Sequence, residues 1–108
     1  MISLLLGVVL ATAPAAPSQA GIDTSRRALV ACLKQAASAA KPGEVTLDGF
    51  AAYAKGRCAA EEGALAAAMI SFDVRNGVSR KSAAEGAQMA VDDYVETAKN
   101  SFAMRSGN

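Results

Sequence analysis

A chain of 108 residues with eleven Lys/Arg, ten Asp/Glu and a formal charge of +1 lacks the concentrated basic excess that a general nucleic-acid binder presents to phosphates. It has no histidine, which removes the commonest general base and the commonest transition-metal ligand together and excludes a Ser/His/Asp hydrolase. The two cysteines do not form a Cys-x-x-Cys pair and neither has an evident base beside it, so redox or nucleophilic chemistry is without its usual setting.

Residues 1–20, MISLLLGVVLATAPAAPSQA, contain no charged side chain, run apolar from Ile2 to Ala13 and end in Ser18-Gln19-Ala20, with small residues at the two positions a signal peptidase reads. This segment is expected to be a cleaved secretory signal, leaving residues 21–108 as a single helical domain of the periplasm or the exterior. Pro14 and Pro17 interrupt the apolar run well before the ~20 residues a membrane span needs. No stable membrane insertion is expected after cleavage. A domain of this size buries only about 60 to 65% of its unfolded surface, so its core is thin and a covalent crosslink matters.

The rest of the chain is dominated by alanine, the strongest helix former, and shows no alternating strand pattern. The class is all-α: a three-helix up-down bundle, or four helices if the second breaks near Gly63. The first helix is expected to start at Asp23-Thr24-Ser25, any of which can cap its free amides, and to stop at Lys41-Pro42-Gly43. Its apolar stripe is Leu29, Leu33, Ala36 and Ala40, with Cys32 beside Leu33.

The second helix starts after Thr46 or Asp48 and runs to Arg75, where Asn76-Gly77 closes it. Its bulky residues (Ala54, Cys58, Leu65, Met69, Phe72) and its small ones (Gly49, Ala52, Gly56, Ala60, Gly63, Ala67) fall on nearly opposite sides at ~100° per residue. Between them lie two charged edges, Asp48/Lys55/Glu62/Asp73 and Arg57/Glu61/Arg75. A helix apolar on two sides requires two neighbours, either within the bundle or in a second molecule.

The third helix begins at Ser79, or at Ser82 with a Ser82/Glu85 capping box, and ends near Met104. Ala84, Ala87, Val91, Tyr94, Val95, Ala98 and Phe102 form its core face. Glu85, Asp92, Asp93, Glu96 and Lys99 form its wet face. The row Glu85, Asp92, Glu96 is read as solvated surface and not as a cation site, because oxygen-rich calcium sites come from loops. No metal and no cofactor is called for.

If the first two helices form an antiparallel hairpin, Cys32 and Cys58 stand about 12 and 15 Å from the turn at ~1.5 Å per residue. They are nearly level and on the apolar seam, so a Cys32–Cys58 disulfide is expected, in keeping with an oxidising destination. Two functional expectations follow. The main one is a non-enzymatic protein acting through a protein partner or homo-oligomer, with Gly49, Ala52, Gly56, Ala60, Gly63 and Ala67 as contact stripe. The alternative is a small carrier or sensor of an apolar or anionic ligand, with Met69, Phe72, Met89, Tyr94 and Phe102 as candidate lining. The turn bearing Arg75, Asn76, Arg80 and Lys81 is a candidate anion site, since it precedes a helix start.

Overall fold

The computed structural model describes residues 19–106, so all but the end of the expected signal segment lies outside the described residues. Four helices follow in order: α1 (Gln19–Ala39), α2 (Phe50–Arg57), α3 (Ala59–Arg75) and α4 (Arg80–Ser106). The chain is an all-α bundle in which α2 and α3 together take the place of the expected second helix. α3 packs against both α1 and α4, which also touch each other.

α1 starts earlier than its capping residues predict. Thr24 lies inside the helix, where its hydroxyl donates back to the Ala20 carbonyl at 3.0 Å, and Asp23 pairs with Arg26 one turn on. The helix stops where expected, because Pro42 has no amide to donate and disfavours helical geometry at Lys41. The amides of Glu44 and Val45 then turn onto the Lys41 carbonyl, each at 2.8 Å. Leu29, Leu33, Ala36 and Ala40 are all buried, joined by Ala37.

The second helix does break, but at Cys58 and not near Gly63. Cys58 has φ −113° and ψ 23°, while Gly56 lies within α2 and Gly63 within α3. The break therefore coincides with the covalent anchor, not with the residues of weakest helix propensity. On the far side of the break, α2 places Phe50 flat against Phe102 of α4, with centroids 5.0 Å apart and planes 16° from parallel. Both rings are buried. Cys32 and Cys58 are joined with Cα atoms 5.9 Å apart, which ties α1 to the α2–α3 junction at a fully buried position.

Both chain reversals are closed by local hydrogen bonds. Before α2, the Gly49 amide donates to the Thr46 hydroxyl at 2.9 Å, and a Cβ at position 49 would fall 2.9 Å from that oxygen. A side chain at this position would displace the Thr46 hydroxyl and break that bond. After α3, the Val78 amide reaches the Asp73 carbonyl and the Gly77 amide the Val74 carbonyl, with Gly77 at φ 94°. This is the paired closing motif that a residue after the C-cap makes in the left-handed region.

Ser79 caps α4, its hydroxyl accepting the Ser82 amide at 3.1 Å. Ser82 is thus inside the helix and does not start a capping box with Glu85. At the other end α4 continues past Met104 to Ser106. There Arg105 donates to the carbonyls of Ser38 and Ala40 at 3.2 and 3.4 Å, satisfying orphan groups at the end of α1. The core face of α4 comprises Ala83, Ala87, Val91, Val95, Ala98 and Phe102. Ala83 replaces the expected Ala84, which is exposed. Both are compatible with a helical stripe through Ala87, and the angle at which α4 crosses its neighbours selects between them.

Candidate functional site

Two surfaces of the bundle are unusual for a small domain in water. The first is the outward side of α3. At 100° per residue, Ala60, Gly63, Ala67, Ile70, Ser71 and Val74 fall within an arc of about 100°, opposite the buried Leu65. Ala60, Gly63, Ala67 and Ser71 are exposed and Ile70 and Val74 are only half-buried. No charged side chain belongs to that arc, although a solvent-facing helix side normally carries several.

The contact stripe expected from the sequence is open at five of its six positions. Ala52, Gly56, Ala60, Gly63 and Ala67 are exposed, and a Cβ added at Gly56 or Gly63 meets nothing within 4 Å. Gly49 is different: it is half-buried and belongs to the turn closed by Thr46. Ile70 and Val74 complete the face. Reading them needs the position of Leu65 as the true inward direction, which divides the α3 apolar residues between two sides.

The charged edges of α2 and α3 are also sorted by the fold. On the side toward α4, the Lys55 ammonium pairs with Asp92 at 3.0 Å, and the Gln88 amide donates to the same carboxylate oxygen at 2.9 Å. These bonds hold the Asp92 carboxyl below its ordinary range, the Lys55 hydrogen bond being the largest cause. Glu62 stands beside them half-buried, with Oε2 enclosed and without a hydrogen-bond partner. Burial pushes its carboxyl up, against a smaller pull down from Lys55 and a further push up from Asp92. On the opposite edge, Arg57 donates to the Tyr53 hydroxyl at 3.0 Å, while Glu61 and Arg75 make no ion pair within the described residues.

The second surface is a groove between α1 and α4, with a volume of about 300 Å³. Val30, Leu33, Ala37 and Ala98 form its floor, and Lys34, Tyr94, Thr97, Ser101 and Arg105 its rim. Among the candidate lining residues only Tyr94 takes part. Phe102 is in the core, Met69 and Phe72 belong to α3, and Met89 is 69% exposed on α4.

Around the turn after α3, the Asn76 amide group donates to the Phe72 carbonyl at 2.7 Å and the Ser79 hydroxyl holds the Ser82 amide. Of the four residues of the candidate anion turn, Asn76 is thus engaged in capping, while Arg75, Arg80 and Lys81 are exposed. In the row Glu85, Asp92, Glu96, Asp92 is taken up by Lys55 and Gln88. No three acidic or cysteine side chains among the described residues gather in a way that could hold a metal.

No family model, no curated protein and no solved structure matches the chain. Among the described residues no helix is long and apolar enough to cross a membrane.

Proposed function

We propose that the protein is exported and acts without catalysis, by contact with another protein chain through the outward face of α3. The observation that carries this reading is the absence of charge over about four turns of an exposed helix side, Ala60 to Val74, that also presents Ile70 and Val74. Contiguous apolar surface of this kind is a usual mark of an interaction site. Export is supported by the charge-free segment at residues 1–20 and by a disulfide, which persists in oxidising compartments. Cleavage before Gly21 would leave Asp23 in the first turn of α1, where a carboxylate favours the positive end of the helix dipole.

The test is site-specific photocrosslinking in the cell that makes the protein, with a photoreactive residue at position 67 and, as control, at position 96 on the exposed side of α4. A protein adduct at 67 and none at 96 is the expected result. No adduct at 67, or equal adducts at both, would remove the reading.

One observation favours a second reading. The α1–α4 groove joins an apolar floor to Lys34, which has no ion-pair partner among the described residues, a combination suited to a small aliphatic anion. Its volume is at the lower end of the ~300–1,000 Å³ of ligand pockets. A carrier of this kind would melt at higher temperature with increasing dodecanoate, and Lys34→Ala would cancel the rise.

A further inference from the structure

We infer that the α1 side of the bundle binds an aliphatic phosphate monoester, its phosphate held by Arg26, Arg27 and Lys34 and one chain laid in the α1–α4 groove. The inference rests on the groove reading above and names the head group. Beside the groove on α1 is a second hollow of about 310 Å³, lined by Arg26, Arg27, Val30, Ala31 and Lys34. Val30 and Lys34 line both hollows. The apolar groove therefore opens directly into a cationic mouth.

The charge of that mouth selects the head group. After Asp23 the next acid in the chain is Glu44, and no acidic side chain lines either hollow. Asp23 pairs with Arg26, while Arg27 and Lys34 have no ion-pair partner among the described residues. Two positive charges are left over. A carboxylate supplies one negative charge, whereas a phosphate monoester carries about −1.5 to −2 at pH 7 and its oxygens fit the guanidinium fork. Arg27 and Lys34 are seven residues apart, hence two turns apart on one side of α1. An anion above Ala31 is met from both ends.

The helix ends set the direction of the ligand. The C-terminal ends of α1 and α4 lie together, since Arg105 donates to the Ser38 and Ala40 carbonyls. Both negative dipole ends oppose an anion there, and Arg105 is engaged with those carbonyls. The phosphate therefore sits at the Arg27 end and the chain points toward Ser38, about 12 Å from Val30 at 1.5 Å per residue.

Titration calorimetry of the purified, oxidised protein with dodecyl phosphate, dodecanoate and inorganic phosphate tests it, the amphiphiles being kept below their micellar concentrations. Dodecyl phosphate is expected to bind about fivefold or more tighter than dodecanoate, and inorganic phosphate to give no signal at the same concentrations. Arg27→Gln should bring dodecyl phosphate down to the level of dodecanoate and leave dodecanoate unchanged. Arg75→Gln, which removes an exposed cation from α3, should change neither. Equal affinity for the two amphiphiles, or indifference to Arg27→Gln, overturns the inference while the groove reading stands. Inorganic phosphate binding as tightly as dodecyl phosphate overturns it too, because the chain then contributes nothing. If neither amphiphile binds, both readings are lost. Once binding in solution is established, flotation with phosphatidylcholine vesicles containing phosphatidic acid separates the two sources of this chemistry. Capture that Arg27→Gln abolishes assigns the site to a membrane lipid, and absence of capture assigns it to a free amphiphile.

Discussion

α3 and α4 are both helices with one buried side, yet they meet water differently. α4 turns Glu85, Asp92, Asp93 and Glu96 outward, while α3 turns out Ala60, Gly63, Ala67 and Ser71 with Ile70 and Val74 beside them. The two helices share a chain, a solvent and a core, so packing within the bundle does not account for the difference. α4 is built as an outer wall. α3 confines its charges to two edges and leaves an uncharged outer side.

The most severe way to break this comparison is to release α3 from its anchor. Cys58→Ala opens the loop between residues 26 positions apart, and loss of that crosslink should cost about 3–4 kcal/mol in the chain-entropy model. For a domain of this size the melting temperature should fall by roughly 15 to 30 °C, read by circular dichroism in matched oxidising buffers. A fall of only a few degrees would mean that packing alone sets the bend at the α2–α3 junction.

Phe50→Ala removes the ring stacked on Phe102 and should cost about 3 kcal/mol, because neither neighbour can close the cavity. It disturbs α2 and the lower part of α4 while sparing the outer face of α3. The protein adduct formed from position 67, read well below the lowered melting temperature, should persist. If it disappears, the α3 face is not independent of the α2 junction.

A direct contrast of the two outer walls follows from adding one charge to each. Ala67→Glu should weaken binding of the partner protein tenfold or more, equivalent to about 1.4 kcal/mol, whereas Asn100→Glu on the exposed side of α4 should leave that binding unchanged. Equal effects would erase the distinction between the walls.

The smallest effect concerns the edge that joins them. Glu62 has its carboxyl raised above the ordinary 4.5, chiefly by burial, so the folded state binds a proton more readily than the unfolded one. Its contribution to stability accordingly declines as pH rises from 4.5 through the raised value, and the full cost applies at neutral pH. Glu62→Gln should raise the melting temperature at pH 7 by roughly 2 to 5 °C, as expected for removing one half-buried, poorly compensated charge. At pH 3.5 the gain should vanish, and an equal gain at both values would show that charge is not the cause. Asp92 has the opposite sign: its carboxyl is lowered by Lys55 and Gln88, so its contribution is present above the ordinary 3.8 and is lost as pH falls through the lowered value.

Much of this architecture is legible in the letters, and for definite reasons. Alanine content and three-to-four spacing make Leu29, Leu33, Ala36 and Ala40 one face whatever surrounds them. Pro42 stops a helix by its covalent structure. Asn76-Gly77 closes α3 because glycine alone reaches φ 94° without strain. Level heights in a hairpin bring Cys32 to Cys58, since rise per residue is a constant of the helix.

Other features depend on elements far apart in the chain. Phe50 is the largest buried side chain paired across the α2–α4 contact, but no periodic stripe identifies it, because it opens a helix of only eight residues. The break falls at Cys58, where the crosslink to α1 and the seat of Phe50 on Phe102 set two helix directions, and not at the glycines, whose propensity cost is only about 1 kcal/mol each. Thr24 and Ser82 are cap-forming residue types that occupy helix interiors, since α1 already begins at Gln19 and Ser79 caps α4.

The sequence by itself determined the helical class, the crosslinked first hairpin and the existence of a second apolar side on the middle helix, because these follow from backbone geometry and residue chemistry within a few turns. Only the tertiary structure decided which side of α3 is left to solvent, that Ile70 and Val74 belong to it, and that Glu62 is drawn toward α4 while Glu61 and Arg75 make no ion pair among the described residues. Those outcomes depend on where α1 and α4 cross α3, and crossing is a property of the packed core as a whole, not of any one helix.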